Sequence, residues 1–456
     1  MRTLFNTIRN IWKIDDLRIR ILTTLGFILI YRLGSFVTLP GIDPSQLSAL
    51  ENQTSDGLLG LLNLFTGGAF SQASIMALGI MPYISASIVI QLLGVAVPYI
   101  QKLQREGESG RTKINQLTRY LTILITGVQG PGYIANIKAT LPETAFLHNI
   151  VASQDPSFLL TETGFWFSSG VILVTGTLFA MWLGEKITDR GIGNGISLLI
   201  MIGIIAALPQ AFAFEFATKV ASSGGGLVML ALELVFILVV ILISILLVQG
   251  TRRIPVNYAK TVIRNRQYGG VRQYIPLKIN AAGVMPIIFA QAIMFIPITI
   301  AGFSSSTAAS GFVQEFSDFG GFWYNFVFAV LVIVFTYFYT AITINTTQMA
   351  ADMKRNNAFI TERGGVRQGK ETAKYLDNVM SRIVLPGSFF LAFVAILPAF
   401  AMQAGVNPQF AQFYGGTSLL IMVGVVLDTI QQINAHLINR HYDGLMKKGR
   451  RTRSGM

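Results

Sequence analysis

Cysteine is absent from the 456 residues, and charge is scarce: Asp, Glu, Lys and Arg together make up 12% of the chain. The first absence excludes disulfides and thiolate metal sites. The second excludes a water-soluble particle of this size, because soluble domains carry about a quarter charged residues. Histidine is sparse too, and His148, His436 and His441 show no metal-ligand spacing. With no metal cluster or nucleophile–base set either, no cofactor or metal is expected, and the chain does not read as an enzyme. The run Gly191-Ile192-Gly193-Asn194-Gly195 superficially resembles a phosphate cradle, but no strand precedes it; a tight turn between two helices is expected there. What the sequence does have is apolar length, with 52% hydrophobic residues and a mean hydropathy of +0.56. That is the composition of a membrane protein. Its charge is basic, 35 Lys and Arg against 22 Asp and Glu, a net +13. Such an excess suits nucleic acid, anionic lipid or a phosphate- or carboxylate-rich partner.

A bilayer core of about 30 Å needs roughly 20 helical residues. By that ruler ten spans are expected, near 20–39, 75–97, 116–137, 164–184, 194–212, 227–249, 280–301, 323–345, 380–402 and 415–436. The first apolar run is long enough to span and no small-residue cleavage site follows it, so it reads as a permanent helix and not a cleaved signal. Pro82, Pro286, Pro297 and Pro398 fall inside expected spans, which membrane helices tolerate. Ten spans leave 1–20, 98–119, 184–194, 250–278, 347–382 and 437–456 on one side, and these hold 32 of the 35 basic residues. The positive-inside rule puts that side, with both termini, in the cytoplasm. The opposite loops hold only Lys138 and Lys219, and Arg32 lies within the first span. Intramembrane charge is limited to Arg32, Glu185, Glu233 and Asp428; Arg32 and Asp428 are the more interior and could pair or line a wet cavity. Five spans per half would invert the second half relative to the first, as in many transport proteins.

Several stretches in order along the chain resemble the SecY family. They include Arg32-Leu33-Gly34-Ser35-Phe36 with Pro40-Gly41-Ile42-Asp43, then Phe65-Thr66-Gly67-Gly68-Ala69 through Gly79-Ile80-Met81-Pro82-Tyr83-Ile84-Ser85 to Gln91-Leu92-Leu93. Glu106-Gly107-Glu108-Ser109-Gly110-Arg111, Met181-Trp182-Leu183-Gly184-Glu185 and Arg190-Gly191-Ile192-Gly193-Asn194-Gly195 follow. Arg252-Arg253-Ile254 with Val256-Asn257-Tyr258-Ala259-Lys260, Pro276-Leu277-Lys278-Ile279-Asn280, Thr372-Ala373-Lys374-Tyr375-Leu376-Asp377 and Tyr414-Gly415-Gly416-Thr417-Ser418 complete the series.

The resemblance implies an all-α polytopic membrane protein: ten transmembrane helices in two pseudo-symmetric five-helix halves around a central hourglass pore, with a short plug helix. The N-terminal half would be 1–226, including the plug at 57–74. The C-terminal half would be 227–436 with cytoplasmic loops 250–278 and 347–382, and 437–456 a basic tail. The function implied is a protein-conducting channel in the bacterial inner membrane, which passes unfolded polypeptides or releases apolar segments sideways into lipid. Implied partners are SecE-like and SecG-like subunits, the motor ATPase SecA, the ribosome, signal peptides and nascent chains, and anionic lipids.

Carried over position by position, the pore ring matches Ile80, Ile84, Ile200, Ile288 and Ile421. A bulky aliphatic neck binds no ion, tends to dewet and grips no passing side chain. Ile80 and Ile84, four apart, share a helix face. Spacing alone would leave these as ordinary lipid-facing or core isoleucines; it is the motif context that moves them. The plug reading names Leu58, Leu61 and Phe65, with Gly67 and Gly68 as a hinge. A lateral gate, held by weak polar contacts between helices, would use Gln91, Thr122 and Gln129. Ribosome or SecA docking would use Arg252, Arg253, Lys260, Arg264 and Arg367. The chain departs from the family's pattern at Gly365-Val366-Arg367-Gln368-Gly369, which lacks the usual proline, at the small insertion Thr361 to Gly364, and at Asn345-Thr346 in place of Asn-Pro. Two other functions fit the spans: an ion-coupled secondary transporter using Arg32 and Asp428, and a membrane scaffold or insertase without an aqueous pore.

Overall fold

In hydrocarbon a backbone amide can find its partner only within its own helix, so long apolar runs fold as helices. The computed structural model describes residues 12, 14–53, 57–146, 162–221, 226–258, 261–263, 266–268, 272–302, 320–361 and 368–453. Two compact units are present, one of Met1–Ala217 with Ile421–Met456 and the other of Thr218–Leu420.

The first unit contains α1 (Asp15–Ser35), α2 (Gly57–Thr66), α3 (Met81–Ala96), α4 (Pro98–Arg105), α5 (Glu108–Thr140), α6 (Glu162–Arg190) and most of α7 (Gly195–Ala221). The second contains α8 (Gly226–Gln249), the strands β1 (Thr251–Tyr258), β2 (Thr261–Ile263), β3 (Arg266–Tyr268) and β4 (Arg272–Lys278), then α9 (Met285–Gly302), α10 (Phe322–Thr343), α11 (Thr346–Arg355), β5 (Ala358–Ile360) and α12 (Lys370–Gln403). The last helix, α13 (Gly416–Arg453), belongs to the first unit from Ile421 onward.

Each expected span falls on one of these helices: α1, α3, α5 to α10, α12 and α13. Among the described residues six helical stretches, on α6, α7, α8, α10 with α11, α12 and α13, are long and apolar enough to cross a bilayer by length and composition, and the bent pair α3 with α4 would be a seventh. On α8 only 17% of the most apolar window is buried, and Leu227, Leu232, Val235, Leu238, Leu242 and Leu246 are exposed. Such a surface cannot face water and is a lipid-facing one.

Local chemistry moves several boundaries. The second span begins at Met81, not near 75, because the backbone from Gly67 to Ile80 is held in turns. Pro82 therefore sits in the first turn of α3 and Pro286 in the first turn of α9, where a missing N–H costs nothing. Pro398 does lie inside its helix, together with Pro386, and Pro131 interrupts α5. Val97, forced extended by the proline that follows, bends α4 away from α3 by 105°. Lys219 was expected in a loop, but α7 continues through it. Its ammonium lies 2.8 Å from the buried Glu233 carboxylate of α8 and 3.2 Å from the Gly405 carbonyl.

Loop 250–278 carries structure that the apolar pattern did not reveal. Strands β4, β1 and β5 form an antiparallel sheet in that order, with Ile254 opposite Ile275 and Val256 opposite Ile360. One face packs Ile254, Val256, Leu277 and Ile360 against Leu376, Met380 and Ile383 of α12. At the head of α11, Asn345 accepts from the Gln348 amide at 3.0 Å, and the Thr346 hydroxyl donates to Asp377 at 2.7 Å. The threonine at the proline position thus ties α11 to α12.

In the first unit a core around Phe70, Tyr133, Ile137, Phe146 and Phe165 closes one end of the helices. Nearby, Asp43 accepts from the Ser45 amide and hydroxyl at 3.0 and 2.8 Å, which holds its carboxyl below the usual range. Helix α6 approaches the chain so closely that a Cβ on Gly176 would stand 1.9 Å from the Ile75 carbonyl oxygen, whereas one on Gly170 would meet nothing within 4 Å. Gly176→Ala should lower the thermal midpoint of the detergent-solubilised chain by several degrees, and Gly170→Ala should leave it unchanged or raise it slightly. Equal midpoints for the two variants would mean that this contact is not close.

Candidate functional site

The segment after α2 is the most constrained piece of backbone in the first unit. Leu64 closes the last turn by accepting from the Gly67 amide at 3.1 Å, and Asn63 accepts from Gly68 at 2.8 Å. Both glycines are left-handed, with φ of +66° and +91°, a conformation that stops a helix cheaply only with glycine. Beyond them Tyr133 donates to the Phe70 carbonyl at 2.7 Å, and the chain from Ala73 to Ile75 bonds to Val37 and Leu39. The short helix α2 is thus followed by a two-glycine joint and then by a firmly pinned strap.

Two contacts hold that joint. Arg32 of α1 donates from Nη1 to the Gly67 carbonyl at 2.6 Å. The end of α2 also lies directly on α7: a Cβ at Gly203 would stand 2.7 Å from the Phe65 carbonyl oxygen and 3.1 Å from the Gly67 nitrogen. Phe65 is buried there. Arg32 does not pair with Asp428, which is exposed; the half-buried guanidinium serves a backbone carbonyl instead. Gly203 was not anticipated from sequence. A glycine within a helix, three residues from an expected site residue and so on the same face, is the only signal it offered.

Ile80 and Ile84 are 4% and 9% exposed, Ile200 is 5% and Ile421 1%, all in the first unit. Ile80 caps α3, and its carbonyl accepts from the Ile84 amide at 3.1 Å, so the expected one-turn spacing holds. Ile200 lies three residues before Gly203 and shares its face. Ile288 is in the second unit, half-buried on the first turn of α9 beside the buried Ile287 and Phe289.

Two of the three polar residues assigned to a seam are bonded within their own helices. The Gln91 amide donates to Ser87 at 3.2 Å, and the fully buried Thr122 donates to the Thr118 carbonyl at 2.7 Å. Gln129 is half-buried on the same helix as Thr122. Glu185, one of the intramembrane charges, takes a two-point grip from Arg119 of α5, at 3.3 and 2.5 Å.

The glycine turn at 191–195 cannot cradle a phosphate. Its amides are engaged: Ile192 donates to Thr24 at 3.1 Å, Gly193 to Gln432 at 2.9 Å and Gly195 to Thr188 at 2.9 Å. The turn joins α6 to α7 and binds them to α1 and α13. Of the docking residues, Arg252 and Arg253 are exposed on β1. Lys260, Arg264 and Arg367 lie outside the described residues, as do the side chains of Leu58 and Leu61.

The SecY family model matches residues 74–430. The protein translocase subunit SecY of Streptomyces scabiei is 42% identical over 446 residues, covering 96% of this chain and 98% of that one. The chain belongs to the SecY family. The SecY of Escherichia coli K12 is 41% identical over 444 residues, covering 95% of each. Among solved structures, one titled the structure of a protein conducting channel aligns with a TM-score of 0.55 at 16% identity, over 92% of both chains. Sec61 in a canine ribosome–channel complex aligns at 0.53, again with 16% identity and 92% of both. These likenesses carry the fold: a multi-pass helical bundle of the SecY and Sec61 type.

Because the chain has no cysteine, a single introduced thiol reports cleanly on the α2 joint. A cysteine replacing Phe65 should react slowly with a polar maleimide, and about tenfold faster once Arg32→Ala removes the charge-assisted bond to Gly67. Equal rates with and without Arg32 would show that the bond does not hold the segment.

Proposed function

We propose that this chain forms the channel through which unfolded secretory polypeptides cross the membrane, and from which transmembrane segments leave sideways into lipid. Likeness to translocase subunits along nearly its whole length supports this reading. The observation that carries it within the molecule is the lid-like α2, whose end lies on α7 at Gly203, one turn from the buried Ile200, and is held by Arg32 at Gly67.

In this reading Ile80, Ile84, Ile200, Ile288 and Ile421 form the apolar ring. It bars hydrated ions by dewetting and lets side chains slide past. Helix α2, with Leu58, Leu61 and Phe65, is the plug, and Gly67 and Gly68 are its joint. One charge-assisted hydrogen bond and a backbone contact are a modest hold, suited to a lid that must leave when a polypeptide enters.

Gln91, Thr122 and Gln129 belong to the helices that part laterally. Because Thr122 is already bonded within its own helix, separation leaves its hydroxyl donor satisfied, and Gln91 keeps one of its two amide N–H bonds. That mechanism differs from a seam of exchangeable interhelical bonds and makes parting cheaper.

The bacterial inner membrane is the proposed setting, with both termini cytoplasmic. SecE-like and SecG-like subunits, SecA, the ribosome, signal peptides, nascent chains and anionic lipids are the proposed partners. Arg252, Arg253, Lys260, Arg264 and Arg367 face the ribosome or SecA. An ion-coupled transporter has less support, because Arg32 is committed to Gly67 and Asp428 is exposed.

Reconstitution with SecA and a signal-bearing precursor tests the function. Precursor should become protease-protected inside vesicles in the presence of ATP; protection no greater than in empty vesicles would refute the reading. Replacing Ile84 and Ile288 with Gly should make the resting channel conduct ions in planar bilayers. Deleting 58–66 should leave a folded but leakier channel. Unchanged conductance in both variants would remove the ring and the plug together.

A further inference from the structure

Holding the α2 joint needs a hydrogen-bond donor, and a neutral side chain would serve; Arg32 brings a full positive charge as well. Elsewhere in the molecule cations set between helices face a carboxylate: Arg119 faces Glu185, Lys138 faces Glu162 and Lys219 faces Glu233. Arg32 does not. Among the described residues its polar and ring contacts are the Gly67 carbonyl at 2.6 Å and the Phe36 ring, whose centroid lies 5.2 Å from the guanidinium carbon. A charge carried into a membrane helix is disfavoured, and its presence marks function by default. The hold on Gly67 does not require it.

Gly67 shows where that charge stands. The point at which a Cβ would sit on this glycine lies 2.6 Å from Arg32 Nη1 and 2.9 Å from the Gly203 Cα. The guanidinium tip and the α7 backbone therefore meet on one side of Gly67, and Gly203 is one turn from the buried Ile200. While Gly67 is seated, its carbonyl dipole covers the cation. When α2 leaves with its joint, the carbonyl goes with it and the guanidinium stays on α1, close to the α7 member of the proposed ring. A guanidinium remains charged at any physiological pH.

A fixed cation in a narrow, poorly hydrated passage repels potassium, sodium and protons and admits anions. The basic cytoplasmic loops also carry positive charge, but exposed charge is screened within about 8 Å at physiological salt. A half-buried one is screened much less.

We propose that Arg32 is the charge-selectivity residue of the opened channel: capped by Gly67 at rest, and uncovered by the departure of α2 to keep small cations and protons out. This rests on the reading of α2 as a plug and adds to it, since the residue that holds the lid also guards the passage once the lid is gone.

The test measures reversal potentials of the full-length chain in planar bilayers under a potassium chloride gradient, in a background lacking 58–67. That deletion removes the Gly67 acceptor together with most of α2. The deleted channel should prefer chloride over potassium about tenfold. Arg32→Gln in the same background keeps a donor and loses the charge, and should bring the permeability ratio close to one. Arg32→Lys should keep the preference. A current from the Arg32→Gln channel shows that it is inserted and open, so its ratio is read directly. If Arg32→Gln changes the size of the current and leaves the ratio untouched, Arg32 is structural and the proposal fails. A deleted channel that conducts without preferring chloride also overturns it, while the plug reading stands. A deletion that conducts no more than the parent removes the plug reading and this inference with it.

Discussion

Hydrocarbon offers no hydrogen-bond partner, so each polar group carried into it must find one in the protein, and the ways this chain does so separate its fixed parts from its movable ones. Where polar side chains are closed on their own helix, a helix can shift as a body. Thr118, Thr122 and Thr126 of α5 all donate to carbonyls one turn back, and so do Thr336 and Thr340 of α10. Where polar groups reach between helices, the helices are tied. Arg119 holds Glu185, and Lys219 holds Glu233 and the Gly405 carbonyl. A buried ion pair of the second kind is strongly disfavoured to break, since each partner would be left as an uncompensated charge. Arg32 and Gly67 lie between these cases: one neutral acceptor, one cation, and a joint of two glycines.

Close approach of backbones is the second device, and it uses glycine where a larger residue could not fit. Gly203 receives the end of α2, Gly176 receives the chain at Ile75, and a Cβ on Gly195 would stand 1.9 Å from the Gly184 carbonyl oxygen. Small residues in membrane helices allow such approach, and dispersion across the contact replaces the hydrophobic drive that lipid cannot supply. At Gly203 the end of α2 thus meets α7 backbone to backbone.

The ten apolar runs were readable because span length is set by the bilayer, and each of them falls on a helix. Ends were less legible: Pro82 and Pro286 mark helix starts, a distinction that hydropathy averages away. The sheet of β4, β1 and β5 was missed because Arg252 to Tyr258 contains no long alternation, and its buried face depends on pairing with residues about a hundred positions away at Ile360. At the candidate site, the shared face of Ile80 and Ile84 could be read from spacing and their candidacy only from the family resemblance, and the partners of Arg32 could not be read at all. Its acceptor is a main-chain carbonyl at Gly67, and no side-chain pattern announces a carbonyl. The same holds for Gln91 and Thr122, whose residue types suggested a seam between helices and whose bonds turn out to be local.

On the proposed function, translocating chains pass along Ile84, Ile200, Ile288 and Ile421. The direct measurement is site-specific crosslinking from a precursor arrested midway through the chain in reconstituted vesicles, with photoreactive residues placed singly at positions 84, 200, 288 and 421 and, for comparison, at Leu238 and Leu242 on the lipid face of α8. The account predicts crosslinks to the precursor from all four isoleucine positions and none from α8. Crosslinks from α8 with silence at the four would place the polypeptide's path elsewhere and contradict it.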